Sequence, residues 1–210
     1  MDILLIQILN SIFYASILFL IAAGLSLIFG VMSIINMAHG SLYALGAYVT
    51  AWIIGHAVGT GSVALLFILL PVGALAVAAV GLVIEPILLR PLYKRPEEYQ
   101  LLVTFGLLLI LEDVMFILFG GTPMTASAPL DAMGSIPIKG LIYPTYNLLV
   151  IGIGILAAIC LWAFVYRTKF GVILRATSQD RRMASALGLN VRRVYAQAFA
   201  IGCFMAGLGG

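Results

Sequence analysis

The stretch YRTKFGVILRATSQDRRMASALGLNVRR, residues 166–193, carries seven cations between two apolar runs: Arg167, Lys169, Arg175, Arg181, Arg182, Arg192 and Arg193. Placing it inside a bilayer would cost on the order of 20 kcal/mol, at about 2.5–3.5 kcal/mol for each cation at the centre of a spanning helix. It therefore reads as a loop outside the hydrocarbon. The apolar runs on either side of it read as spans.

Composition extends this reading to the whole chain. Hydrophobic residues make up 63% and charged residues 9% of 210, and the mean hydropathy is +1.18. A soluble domain carries about 25% charged residues because water must wet its surface. This chain cannot supply that surface, so lipid must cover most of it. The net charge is +3, and ten of the eleven Lys/Arg fall within residues 90–95 and 167–193. Neither segment interleaves aromatics with base as a nucleic-acid surface would, so nucleic acid is excluded as a partner. Cys160 and Cys203 lie inside apolar runs and read as small buried hydrophobes. No secretory signal is evident, since Asp2 follows Met1 and no basic region precedes the first apolar run.

A span needs about 20 mainly apolar residues. Five complete spans are predicted at residues 3–29, 34–54, 63–89, 101–119 and 147–165. A sixth starts near residue 194, and Pro71 and Pro86 are expected to kink the third. The fold class is thus an all-α polytopic membrane protein. Loops 90–98 and 167–193 hold the cations and are expected in the cytoplasm. The loop 120–146 holds only Lys139 and Asp131 and faces outward. Parity then puts the N-terminus outside. Small residues recur four apart at Gly202, Ala206 and Gly210, at Ala74 and Ala78, and at Gly40 and Ala44, a pattern that reads as helix-packing seams.

Three places could carry function. The first is GVMSIINMAHG, residues 30–40, which sets Asn36 and His39 near a membrane boundary with almost no loop. Either they are packing residues, or they line a pathway, since irregular backbone at membrane depth is tolerated only beside protein or water. The second is the acidic set. Glu85 lies near enough to pair with Arg90. Glu112 and Asp113 sit deeper, about 100° apart on one helix. They are expected to face the bundle interior, to pair with polar groups or to be protonated, and they could line a substrate pathway. The third is a short helix at about 179–187, with Ser178 as N-cap, Asp180 in the first turn and Gly188 at C′. Helices below about 12 residues are marginal alone, so packing on the membrane domain or on a partner must hold it. No catalytic constellation is present: there is no phosphate-binding glycine motif, no Cys/His metal spacing and no serine with a base.

Two of these stretches resemble a known family. GLSLIFGVMSIINMAHGSLYALGAY, residues 24–48, resembles the N-terminal signature of the permease subunits of branched-chain amino-acid ABC importers. RATSQDRRMASALGLN, residues 175–190, resembles their cytoplasmic coupling segment. The resemblance implies a single transmembrane permease domain over residues 1–210 that is not an enzyme and sits in a bacterial inner membrane. The implied partners are a second homologous permease subunit, two cytoplasmic ATP-binding subunits that hold the ATP, and a periplasmic substrate-binding protein. It gives the coupling role to Gln179, Asp180, Arg181, Arg182, Met183, Ala184, Leu187 and Gly188. Many ABC importers read Glu-Ala-Ala, three residues, then Gly in this segment. Here Arg182-Met183-Ala184 precedes Gly188, so only the last alanine and the glycine are kept. Family members continue through further spans, which makes this chain look truncated at its C-terminus. Two other readings are an importer of urea or short amides and, in a different class, an ion-coupled transporter or channel using Glu112 and Asp113.

Overall fold

A computed structural model describes residues 2–57, 63–138 and 141–210. The elements run in order α1 (Asp2–Met32), α2 (His39–Ala57), α3 (Val63–Ile84), α4 (Glu97–Phe119), α5 (Ala128–Met133), β1 (Ser135–Ile138), β2 (Leu141–Pro144), α6 (Thr145–Arg167), α7 (Lys169–Gln179), α8 (Arg181–Ala186) and α9 (Val191–Gly209). The two strands form an antiparallel hairpin pairing Ser135 with Pro144. Lys139, part of the expected outward loop, lies outside the described residues.

Among the described residues, four helices are long and apolar enough to cross a membrane: Leu4–Met32, Phe67–Lys94, Glu97–Phe119 and Thr145–Arg167. The chain is therefore a multi-pass membrane protein, as its hydropathy predicts. The third expected span runs on past residue 89. At Pro86 the helix rewinds into a π turn over Glu85–Leu89, then tightens to a 3-10 turn over Arg90–Lys94. Proline has no N–H to give the ladder and crowds the carbonyl four residues back, which is what a π turn relieves.

α9, 19 residues long, is enclosed by its neighbours. It packs against α1, α2 and α3, and Ala198, Phe199, Cys203 and Ala206 are wholly buried. Arg192, Arg193 and Gln197 are its exposed residues, on the side and at the head that the neighbours leave open. Its contacts are made at glycines. A Cβ on Gly24 of α1 would stand 2.6 Å from the Gly202 carbonyl, and one on Gly46 of α2 would stand 2.6 Å from the Gly207 Cα. A Cβ on Gly207 would stand 2.9 Å from the Ala74 Cα of α3. Three helices thus reach backbone distance from α9, because lipid gives helices no hydrophobic reason to associate and close packing must do so. The expected seams at Gly202–Ala206 and at Ala74 are realised. Gly40 is not part of one, since a Cβ there meets nothing within 4 Å.

The remaining spans wrap this core. α4 turns Gln100, Thr104, Leu107, Leu111 and Met115 inward, a stripe at helical spacing that lies on α2. α6 lies at the edge and buries Gly154, against Ser16 of α1.

If the glycine seam carries the bundle, Gly207→Ala lowers stability by about 1–3 kcal/mol through overpacking. Gly40→Ala, into open space in a helix, is neutral or stabilising by up to about 1 kcal/mol. Thermal unfolding of the two variants in detergent separates them, and equal shifts would refute the seam.

Candidate functional site

The first candidate lies between α1 and α2. Residues 33–38 are not helical, and exposed and buried residues alternate through them: Ile34, Asn36 and Ala38 point in, while Ser33, Ile35 and Met37 point out. The backbone here is irregular: Ser33 has φ +53°, and the His39 N–H closes a turn on the Asn36 carbonyl at 3.2 Å. The helix within the expected 34–54 span therefore begins later, at His39, and is not among the four long and apolar enough to cross a membrane. The His39 Nε2 lies 3.1 Å from the Ile21 carbonyl. Ile21 precedes the end of α1 by eleven residues, so α2 starts about 16 Å back along α1. Irregular backbone thus sits at depth against protein, packed on α4, where Thr104 Oγ1 lies 2.8 Å from the Gln100 carbonyl and 3.3 Å from that of Ile35.

Asn36 and His39 are each 3% exposed. Asn36 Oδ1 accepts from the Ala38 N–H at 3.2 Å. A carbonyl only accepts, so the His39 proton sits on Nε2 and Nδ1 is left as a bare acceptor. Both His39 Nδ1 and Asn36 Nδ2 are buried without a hydrogen-bond partner in the protein. One is an acceptor and the other a donor, and they lie three residues apart at the head of α2.

The acidic residues divide into two groups. Glu85 is completely buried and paired, as its position predicts: Arg90 Nη2 donates to its Oε2 at 2.9 Å, and the Tyr93 hydroxyl donates to its Oε1. Glu112 and Asp113 differ from expectation. Both are exposed on the outer face of α4, away from the Leu111 and Met115 stripe, and no ion pair joins either one among the described residues. Between the buried Leu111 and Met115 the helix turns three residues outward, and Glu112 and Asp113 take two of these places beside Val114.

The third candidate is the basic segment. It forms two helices where one was expected. α7 starts at the cap Thr168, whose Oγ1 accepts from the Gly171 N–H at 3.0 Å, and buries Gly171, Leu174 and Thr177. Ser178 and Gln179 belong to its last turn, so Ser178 is not the cap of the second helix. That cap is Asp180, whose Oδ1 accepts from the N–H groups of Arg182 and Met183 at 2.8 and 2.9 Å. Gly188 closes α8 as predicted. Its φ is +82°, and the N–H groups of Gly188 and Leu189 reach the carbonyls of Ser185 and Ala184, both at 3.1 Å, a Schellman turn. α8 buries Ala184 and exposes Met183 and Leu187, at 57% and 75%.

Arg181 fastens α8 to the bundle. Its guanidinium stands 5.5 Å over the Tyr93 ring and 5.4 Å over the Tyr195 ring, and Nη1 donates to the Tyr93 carbonyl at 3.2 Å. The two tyrosines meet edge to face at 4.9 Å. Sequence reasoning missed this seat because its members lie 88 and 14 residues from Arg181. The available signal was tyrosine next to cations at a span end. A separate cavity of about 330 Å³ lies at the far end of the bundle, where Thr50, Tyr146 and Gly207 are among its lining, and no charged side chain lines it.

The family described as branched-chain amino acid transport system / permease component matches residues 7–210. The high-affinity branched-chain amino acid transport system permease protein LivH of Salmonella typhimurium is 29% identical over 210 residues, covering 97% of this chain and 68% of that protein. LivH of Escherichia coli K12 matches to the same extent. The corresponding protein BraD of Pseudomonas aeruginosa is 26% identical over 206 residues, covering 95% and 67%. No solved structure matches the chain. With the family matched across nearly the whole chain, and with a multi-pass helical bundle to fit it, this protein belongs to the family of branched-chain amino acid transport system permease components.

Proposed function

We propose that the chain is the membrane subunit of an ATP-driven importer of branched-chain or related amino acids. In this reading it pairs with a second homologous permease chain. Two cytoplasmic ATP-binding subunits dock beneath, and a periplasmic binding protein delivers substrate from above. The observation that carries the coupling role is α8, a capped two-ended helix that presents Met183 and Leu187 to solvent while Ala184 and Arg181 hold it to the bundle. Exposed apolar side chains on a rigid short helix make a docking edge. We place the chain in a bacterial inner membrane with the N-terminus outside, loops 90–98 and 167–193 in the cytoplasm, and α2 and α9 crossing as screened spans beside the four apolar ones.

The mechanism follows from the connections. A displacement applied at Met183 and Leu187 meets no flexible linker. Residues 187–190 form the Schellman turn and the Asn190 cap of α9, where Asn190 Oδ1 accepts from the Arg193 N–H at 3.2 Å. α9 then carries the motion to the glycine contacts with α1, α2 and α3. Near its Gly202 contact lies His39, whose Cε1 would stand 3.3 Å from a Cβ on Gly24. The unpartnered Nδ1 of His39 and Nδ2 of Asn36 suit a polar group passing that point, since a buried donor or acceptor without a partner costs about 1–3 kcal/mol. Glu112 and Asp113, on the outer face of α4, are available to the second permease chain and to the pathway between the two.

Uptake of labelled leucine into proteoliposomes holding the complete assembly is expected to require ATP and to persist when the proton gradient is collapsed. Uptake that ignores ATP and fails with the gradient supports the ion-coupled reading. Met183→Asp is expected to weaken association of the ATP-binding subunit by about tenfold. Co-purification measures this, and unchanged association removes α8 as the docking edge. Asn36→Ala is expected to lower transport by about tenfold, the scale of one lost buried hydrogen bond, with ATP-binding-subunit association intact. Unaltered transport would leave Asn36 a packing residue.

A further inference from the structure

Between α8, the head of α9 and the Arg90–Lys94 turn lies a cavity of about 800 Å³. Its lining includes four cations, Lys94, Arg181, Arg182 and Arg192, together with Ser185 and Asn190. Among the described residues the one salt bridge is Glu85–Arg90, so none of these four has a carboxylate within 4.0 Å. Asp180, next to Arg181, already spends Oδ1 on the α8 cap, and Glu97 and Glu98, three and four residues past Lys94, are exposed and do not line the cavity. Four like charges around one cavity repel one another and favour an anion between them.

We propose that this cavity binds the phosphate of an anionic phospholipid headgroup. Three further observations favour a lipid over a protein or a free ion. The first is depth. Tyr93 and Lys94 close the apolar stretch Phe67–Lys94, and the next begins at Glu97, so the cavity opens where hydrocarbon gives way to headgroups. Basic pockets between spanning helices at that level are suited to lipid headgroups. The second is preorganisation. Arg181 is locked over Tyr93 and Tyr195 with Nη1 on the Tyr93 carbonyl, so its remaining donors are aimed before any ligand arrives. The third is the division of α8 into two sides. Arg181, Arg182 and Ser185 line the cavity, whereas Met183 and Leu187 do not and stay exposed. A protein partner is thus offered a different side of the helix from the one that holds the anion. A bound headgroup would tie α8 to the Arg90–Lys94 turn and so help the two move as one body. The inference rests on the chain being a multi-pass membrane protein, and it stands whether or not α8 docks an ATP-binding subunit.

The test is native mass spectrometry of the full chain in detergent, titrated with dioleoylphosphatidylglycerol, with dioleoylphosphatidylcholine and with inorganic phosphate. The expected result is one phosphatidylglycerol held at least about tenfold more tightly than phosphatidylcholine, and not displaced by millimolar phosphate. K94Q/R182Q/R192Q, which spares the packed Arg181, is expected to weaken it by at least about tenfold. R167Q/K169Q/R175Q removes the same charge from the neighbouring basic segment and is expected to change it by less than about twofold. No preference for phosphatidylglycerol, or equal losses in the two variants, overturns the proposal. Displacement by phosphate overturns the lipid as the source of the anion. Lipid binding kept by K94Q/R182Q/R192Q while ATP-binding-subunit association is lost makes the cavity a protein-docking surface instead.

Discussion

The rest of the structure depends on the approach of three helices to α9 at backbone distance. In lipid, apolar side chains gain nothing by leaving the solvent for one another, so association has to come from close contact and hydrogen bonding. Gly24, Gly46 and Gly207 allow that contact, and Ala74 meets Gly207 from α3. With α9 held this way, the more apolar α3 and α4 and the edge helix α6 can face lipid, where side chains such as Ile117 and Ile87 are 78% and 69% exposed. The non-helical segment 33–38 can also exist between α1 and α2, because it lies against protein rather than hydrocarbon.

The same helix joins the two ends of the account. At its head, Tyr195 meets Tyr93 edge to face, and Arg181 covers both. Tyr93 in turn bonds to Glu85, whose carboxylate is buried and paired with Arg90. A buried ion pair adds little stability by itself but fixes geometry firmly, since breaking it strands a charge. The end of α3, the head of α9 and α8 are therefore one cluster. It lies at the end of the molecule where ten of the eleven Lys/Arg collect.

Much of this was legible in the sequence. Length and apolarity placed four of the expected spans, because the bilayer sets one length for all of them. Gly188 was readable as a C′ residue, and Glu85 with Arg90 as a pair, because both are local. The start of α2 was not readable. Ile34 and Ile35 are as apolar as any helix residue, so hydropathy cannot tell an irregular segment from a helical one. Nor was the choice of Asp180 over Ser178 as cap, since both are good caps and the burial of Leu174 and Thr177 in α7 decides between them. The outward direction of Glu112 and Asp113, and the seat of Arg181, depend on which distant helices pack together, and no local pattern carries that.

The central claim is that α8 is fastened to the bundle and moves with it. Spin labels at Leu187→Cys and Arg95→Cys, in a Cys160→Ser background where the remaining Cys203 is buried, report the distance between α8 and the end of α3. A single narrow distribution, unchanged when the ATP-binding subunits and nucleotide are added, is the result this structure predicts. A broad distribution, or one that shifts with nucleotide, would show that α8 moves independently of the bundle and would contradict it.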